Sequence, residues 1–474
     1  MIRRFEGAGW INPAFALVIA VTLIRWALLA FDRTDLYVDE SQYWLWGQHF
    51  AFGYYSKPPL IAWLIGAVTT LAGSDATFWV RMPGAALHGA TALILAALAA
   101  RIYSAKTALW VAAAYVTLPM VALGSFTLST DTVMAPFFAA ALYFHRRLIE
   151  TPLARFALAA GAMAGIGFMA KYAAIYFLIG MAMAALLHRD QRIGLRQTVL
   201  LLLAFGAVVS PNIIWNLNNH LATLAHTMDN VGWVRQGNPL AGMHLTGPID
   251  FLASQFAVIG PLVFAALLVK LIKPRAEALA GFVYPPLVVV MLQSLLDQAY
   301  ANWAIAAYFA GTVLAVTALQ RRPVLLWLSL AVNGALSLAL PVIATTPSIA
   351  IGERPILLRY LGRADFSQQI IDLARQNRIT DVMAESREIL ADLFYTGRDS
   401  GLAFHAPRPK GRALNHYEET YPLPQGLTEQ LLIVAEQTPA CTLATLPLRA
   451  EQTAYRNFAY AAFVVDAECF NAAH

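Results

Sequence analysis

Eleven apolar runs dominate the chain, at roughly 12–31, 80–100, 107–124, 131–149, 155–170, 172–187, 198–215, 250–270, 279–296, 303–319 and 323–345. A bilayer core takes about 20 predominantly apolar residues per helix, so a chain built this way is expected to be an all-α polytopic membrane protein. Composition points the same way. Apolar residues make up 59% and charged residues 13%, where a soluble domain carries about 25% charged. The net charge of +5 is too unevenly placed to mark a nucleic-acid binder. Cys441 and Cys469 are the only cysteines and have neither zinc nor redox-motif spacing. Met1 to Trp10 carries Arg3 and Arg4 ahead of the first apolar run with no A-x-A-like cleavage site, which reads as an uncleaved first span.

A twelfth apolar stretch, Leu60 to Ala72, is 13 residues long and suits a re-entrant or interfacial helix. With that stretch not crossing, 15 Lys and Arg fall on the N-terminal side of the membrane and five on the other before residue 346. The positive-inside rule then places the N-terminus in the cytoplasm. The acids Asp32, Asp35, Asp39, Glu40, Asp75, Asp131, Asp229, Asp250 and Asp297 all sort to the outer side. Two domains follow: a membrane domain over 1–345 with a long first outer loop over 32–80, and a small α/β domain over 346–474 outside. In that compartment Cys441 and Cys469 are free to pair. Leu431 to Ala435 and Ala461 to Val465 read as buried strands, Val382 to Tyr395 as a strand or helix, and Asn415 to Pro424 as an ordered loop. Gly161 and Gly165 form a G-x-x-x-G pair expected to pack helices closely, and Arg25, costly in lipid, is expected to face the bundle or snorkel.

Chemistry concentrates on the outer face. The first loop opens with D-L-Y-V-D-E-S-Q-Y-W-L-W, in which Tyr43, Trp44 and Trp46 follow the acids Asp39 and Glu40. The plain reading is an interfacial helix with solvated charges. Next comes Gly53-Tyr54-Tyr55-Ser56-Lys57-Pro58-Pro59, where two prolines stiffen the backbone behind a lysine able to hold a phosphate as a point charge. Asp131 opens the fourth apolar run in S-T-D-T, where an N-cap with an acid in the first turn explains it equally well. Lys171 and Tyr172 occupy a third outer turn, and a lysine at a helix end ordinarily snorkels. His220 and His226 lie six apart, a poor spacing for metal. Two separated carboxylates, several cations and many aromatics suit a lipid phosphate carrying a polar head group, the cations on the phosphate and a carboxylate taking a proton from an incoming hydroxyl or amine.

V-D-E-S-Q-Y-W (Val38 to Trp44), G-Y-Y-S-K-P-P-L (Gly53 to Leu60), F-W-V-R-M-P-G (Phe78 to Gly84), S-T-D-T (Ser129 to Thr132) and M-A-K-Y (Met169 to Tyr172) run in order through about the first 235 residues. In these motifs the chain resembles the GT-C fold polytopic glycosyltransferases, in the group of the protein O-mannosyltransferases and the aminoarabinose transferase that modifies lipid A. The resemblance implies a polyprenyl phosphate-linked sugar donor, a glycolipid or protein acceptor and inversion at the anomeric carbon. Lipid A or another envelope glycolipid is the foremost acceptor, and the setting is the inner membrane with a periplasmic site. Carried onto this chain it makes Asp39, Glu40 and Asp131 the catalytic carboxylates and puts Lys57, Arg81 and Lys171 at the donor phosphate. Tyr43, Tyr54, Tyr55, Tyr172 and Arg235 become substrate contacts. Ser56 stands where several members carry an acid before the Lys-Pro dipeptide, and no convincing metal-ligand set is visible, so a Mg or Mn ion bridging phosphate and acid is the one cofactor to test. The rivals are a flippase or transporter of lipid-linked sugars, which usually shows internal repeats and ionisable residues at mid-membrane, and a polymerase or ligase of related architecture.

Overall fold

The computed structural model describes residues 8–230, 243–272, 277–352, 354–451 and 453–473. They fall into two compact units. The first takes Met1–Ala30, Ala51–Ile61 and Arg81–Val342; the second takes Phe31–Phe50, Ala62–Val80 and Ile343–His474.

The first unit is helical throughout, and each of the eleven apolar runs lies on helix. Several runs are broken where prolines and glycines interrupt the backbone ladder. Ala105–Thr117 and Pro119–Phe126 meet at 55° across Leu118, and Gly260 (φ +87°) separates Gly247–Ile259 from Pro261–Leu271. By length and composition, five helices among the described residues can cross a membrane, or six with the bent pair taken as one span. Other apolar helices are shorter, Ala154–Ala170 being 17 residues, and Thr130–Glu150 is long enough but carries Asp131, Arg146, Arg147 and Glu150 towards its ends.

Packing follows composition. Ala306–Leu319 is apolar on all sides and almost entirely buried, as an all-round hydrophobic helix must be when it sits at the centre of a bundle. Leu195–Asn218 leaves Leu202, Leu203, Ile213 and Leu217 exposed. Gly161 and Gly165 let Ala154–Ala170 approach that helix closely: a Cβ at Gly165 would come within 2.8 Å of the Val208 Cβ. Arg25 turns inward, donating to Ser125 Oγ (3.2 Å), Val116 O (2.5 Å) and Ser337 Oγ (2.8 Å). Its charge is thus hydrogen-bonded inside the bundle rather than left in lipid.

The second unit carries the strands. A two-residue ribbon pairs β1 (Ala350–Ile351) with β2 (Arg354–Pro355). The main sheet holds β3 (Asp381–Ala384), β4 (Ala403–His405), β5 (Gln430–Ala435), β6 (Thr442–Pro447) and β7 (Ala461–Asp466) in the order β4-β3-β5-β7-β6. β3 runs parallel to β4 and β5, and β7 antiparallel to β5 and β6. β5 and β7 are buried along nearly their whole length while the edge strand β6 is largely exposed, so the core gathers Met383, Leu431, Ile433, Phe463, Val465 and Phe470. Val382 to Tyr395 resolves into strand β3 followed by the helix Arg387–Thr396. The tract expected as a loop contains a short helix, His416–Thr420, because Asn415 Oδ1 accepts the Tyr417 and Glu418 N–H groups. Cys441 and Cys469 are disulfide-bonded, tying the entry of β6 to the C-terminal helix Ala467–Ala473.

Two stretches of the 32–80 segment belong to this unit, as the helix Val38–Gly47 and most of the helix Leu60–Ala72. They touch backbone to backbone at Gly47 and Gly66. A Cβ on Gly47 would lie 2.8 Å from the Ala62 carbonyl and 2.9 Å from the Gly66 nitrogen, closer than side chains pack.

Candidate functional site

In the helical unit the chemistry gathers where helices end. Ser129 caps Thr130–Glu150 by accepting the Thr132 N–H (3.3 Å), which leaves Asp131 in the first turn. Lys171 sits in extended backbone just past Ala154–Ala170. Its Nζ donates to both Asp131 oxygens at 2.7 Å, and Asn302 Nδ2 adds a longer contact of 3.4 Å to Oδ2. Asp131 is buried, so a carboxylate and an ammonium are held in near-contact away from bulk water, where a charge left unpaired is costly.

Beside Lys171, the Tyr172 hydroxyl donates to Asn212 Oδ1 (3.0 Å) and accepts from Asn216 Nδ2 (3.3 Å). Asn212 Nδ2 donates to the Phe52 carbonyl (2.7 Å) and Thr223 Oγ1 to the Tyr54 carbonyl (2.8 Å). Gly53 lies against the Trp215 ring with no room for a Cβ, the Tyr55 ring meets His226 at 5.1 Å, and the Tyr54 N–H donates to the Lys57 carbonyl (3.1 Å). The G-Y-Y-S-K-P-P tract is therefore pinned to the end of Leu195–Asn218 and to the next helix, Ala222–Asn230. Lys57 is half-buried within it. Arg81 is wholly buried, its guanidinium 5.1 Å above the Phe126 ring. Arg235 lies outside the described residues.

In the second unit, Asp39 and Glu40 occupy the first turn of Val38–Gly47. Glu40 is buried and its carboxylate accepts the Tyr37 N–H (2.9 Å), the reach-back half of a capping box. Asp39 meets Arg387, the first residue of the helix Arg387–Thr396, with Nη2 to Oδ1 at 2.6 Å. The same guanidinium donates from Nε to Gln42 Oε1 at 3.0 Å. Burial works against the Arg387 charge and Asp39 more than offsets it, so the guanidinium sits above the usual arginine range. Tyr43 is buried against Trp46, and Trp44 donates to Asp75 Oδ1 (2.8 Å) while its ring takes the edge of Tyr395.

Lys171, Asp131 and Tyr172 thus come together in one unit with the Lys57 turn close by in the same polar network, and Asp39, Glu40 and Tyr43 share one short helix in the other. Among the described residues no group of three His, Cys, Asp or Glu is placed to hold a metal ion. Sequence reasoning missed Asn212 and Arg387. Two asparagines at i and i+4 in an otherwise apolar helix were a usable signal for the first; nothing local marks Arg387, whose partners lie more than 340 residues away.

Residues 56–215 match the family described as dolichyl-phosphate-mannose-protein mannosyltransferase. Lipid A galacturonosyltransferase RgtD of Rhizobium johnstonii is 37% identical over 439 residues, covering 90% of this chain and 92% of that one. Two crystal structures of ArnT from Cupriavidus metallidurans share the fold at 14% identity: the apo form with a TM-score of 0.64 over 96% of this chain and 98% of that one, and the form bound to undecaprenyl phosphate with 0.63 over 97% and 98%.

Proposed function

Because the chain belongs to the GT-C glycosyltransferase family that includes lipid A galacturonosyltransferase RgtD, we propose that it transfers a sugar from a polyprenyl phosphate to lipid A, with galacturonic acid the first donor to test. The observation that carries this reading is likeness over nine-tenths of both chains, the C-terminal unit included. Transfer takes place on the periplasmic face of the inner membrane, the bundle crossing eleven times from a cytoplasmic N-terminus; the 15 to 5 division of Lys and Arg supports that orientation.

The step is a single inverting displacement. An acceptor hydroxyl oxygen bonds to the anomeric carbon as the bond from that carbon to the phosphate oxygen breaks. The hydroxyl proton passes to Asp39, and polyprenyl phosphate leaves with its added charge. Cations preorganised where that charge develops are the larger electrostatic contribution: Lys57, Arg81 and Lys171 take this role, with Asp131 holding Lys171 in place and Tyr54, Tyr55, Tyr172 and Arg235 lining the donor's path. Glu40 fixes the turn that carries Asp39, and Tyr43 supports it. Protein as acceptor is the second reading, favoured by the match of residues 56–215 to the protein mannosyltransferase family.

The test is transfer by the reconstituted protein from a radiolabelled panel of undecaprenyl phosphate sugars to lipid A and to protein, with and without a chelator to report any divalent ion. Label in lipid A, reduced by about 10²- to 10⁴-fold in Asp39→Asn as expected for loss of a general base, bears the reading out. Full activity of Asp39→Asn removes Asp39 from the chemistry, label in protein moves the acceptor, and no transfer from any donor favours the transporter.

A further inference from the structure

Asp39 as acceptor base raises a difficulty that the second unit itself addresses. A carboxylate at a helix start on an outer loop has rotamers to choose from and a proton to gain in acid. Arg387 meets both problems with one planar group: Nη2 holds Asp39 Oδ1 at 2.6 Å while Nε holds Gln42 Oε1 at 3.0 Å. Asp39 and Gln42 are three apart and so share a helix face, and the guanidinium clamps that face across its first turn. Arg387 is itself firmly mounted. It is the first residue of a helix capped by Ser386, whose Oγ accepts the Glu388 N–H at 3.2 Å. Further along, the Tyr395 hydroxyl donates to the Asp75 carbonyl at 2.5 Å and its ring meets Trp44 at 5.1 Å. The Asp39 side chain nevertheless keeps 46% of its surface exposed, enough for an acceptor to reach it.

Other titratable groups bear on the pair. Tyr37 and Tyr43 come from its own helix and cap, and Glu388 and Asp392 from the helix of Arg387. His416 and Tyr417 come from the short helix His416–Thr420, Arg359 and Arg363 flank Tyr37, and His49 stands beside His416. Arg387 is in direct ion-pair contact with the Asp39 carboxylate.

We propose that Arg387 is a positioning residue for transfer: through its paired contacts it keeps Asp39 ionised and turned in one orientation, so that a residue of the C-terminal unit governs the rate and the acid limit of a reaction whose base lies in the first outer loop. The inference rests on the assignment of Asp39 above. An adjacent arginine ordinarily lowers an aspartate's pKa by about one to three. Losing it raises that pKa, depletes the basic form at low pH, and moves the acid limb of the rate profile to higher pH.

The experiment measures kcat, KM for donor and acceptor, and the pH dependence of kcat in wild type, Arg387→Gln, Arg387→Lys and Asp39→Asn, each reconstituted in lipid. Arg387→Gln is expected to lower kcat by about tenfold or more near neutral pH, leave the donor KM within about twofold, and shift the acid limb up by about one pH unit or more. Arg387→Lys restores the charge without the fork to Gln42, returning the limb toward its wild-type position with partial recovery of kcat. It also keeps the inference testable where the glutamine variant does not fold. Wild-type kcat and limb in Arg387→Gln overturn the proposal. So does a loss of rate with an unmoved limb and no rescue by lysine, which is how a merely structural arginine behaves. An active Asp39→Asn protein defeats the assignment beneath it instead, so the two failures are distinguishable.

Discussion

Replacing Lys171 by methionine and Asp131 by asparagine, singly and together, separates what their ion pair does for the fold from what Lys171 does for the donor. Nζ lies 2.7 Å from both carboxylate oxygens, with the two side chains 19% and 9% exposed. At an effective dielectric of about 20 the gross attraction at that distance is about 6 kcal/mol, much of it offset by desolvating the two charges. Each single variant leaves one charge stranded and is expected to cost roughly 3–5 kcal/mol, whereas the double variant strands none and costs less than the sum by about 3 kcal/mol. The readout is the rate of thermal inactivation in lipid nanodiscs, because a membrane protein that unfolds irreversibly reports a barrier rather than an equilibrium. Expressed fully in that barrier, the coupling is about a hundredfold in rate. Donor KM measured on the same proteins discriminates further: the double variant regains stability and still binds donor poorly, since it lacks the cation. Additive single effects, within about 0.5 kcal/mol, would refute the claim that the pair acts as a unit, and a double variant with wild-type donor KM would refute the phosphate role.

Lys57→Ala should raise donor KM by about ten- to a hundredfold, the worth of a charge-assisted contact, with acceptor KM unchanged; unaltered donor kinetics would remove Lys57 from the site. His416, buried with its ring edge on Trp46 at 5.5 Å, is held down to about 3 by burial and by the nearby Arg387 charge. The folded unit therefore keeps it neutral, so its contribution is complete above the unfolded value near 6.5 and declines as pH falls toward 3, by about 2 kcal/mol at pH 5. Denaturation of His416→Gln at pH 7 and pH 5 should show a flatter pH dependence than wild type. Cys441 and Cys469 close a loop of 28 residues, and replacing both by serine should cost roughly 3.5 kcal/mol of stability in the chain-entropy account; an unmoved unfolding transition would show that the bridge constrains little.

The helices were legible because hydrophobic length and periodicity are local properties. The eleven apolar runs all lie on helix, and β5 and β7 fall within a residue or two of the expected strands. Among the described residues, length and composition alone qualify five or six helices as crossings, because several apolar runs are divided, as at Leu118 and Gly260, into shorter helices. The candidate site was legible as residue types and motifs, less so as partnerships. Asp131 and Lys171 were visible separately as a helix cap and a snorkelling lysine, and their pairing across 40 residues was not. Glu40 is a catalytic candidate by resemblance, and its carboxylate also accepts the Tyr37 N–H, a capping-box contact that position 37, lacking the usual serine or threonine, did not advertise. Arg387 had no local mark at all, because what distinguishes it is a contact 348 residues distant.

The second unit is discontinuous along the chain, and that has a consequence during synthesis. Its contacts Asp35–Arg363, Asp39–Arg387 and Asp75–Tyr395 join residues that leave the ribosome far apart in time. About 260 residues separate Val80 from Ile343, and at 5–20 residues per second they take about 10–50 s to translate. For that interval the segment carrying Asp39 is expected to lack the sheet and helices that complete its unit, leaving Trp44 without Tyr395 and Trp46 without His416. A stop codon after residue 343 therefore deprives Asp35, Asp39 and Asp75 of Arg363, Arg387 and Tyr395. Activity lost through truncation at residue 343 is expected to return when the segment Ile343–His474 is supplied in trans.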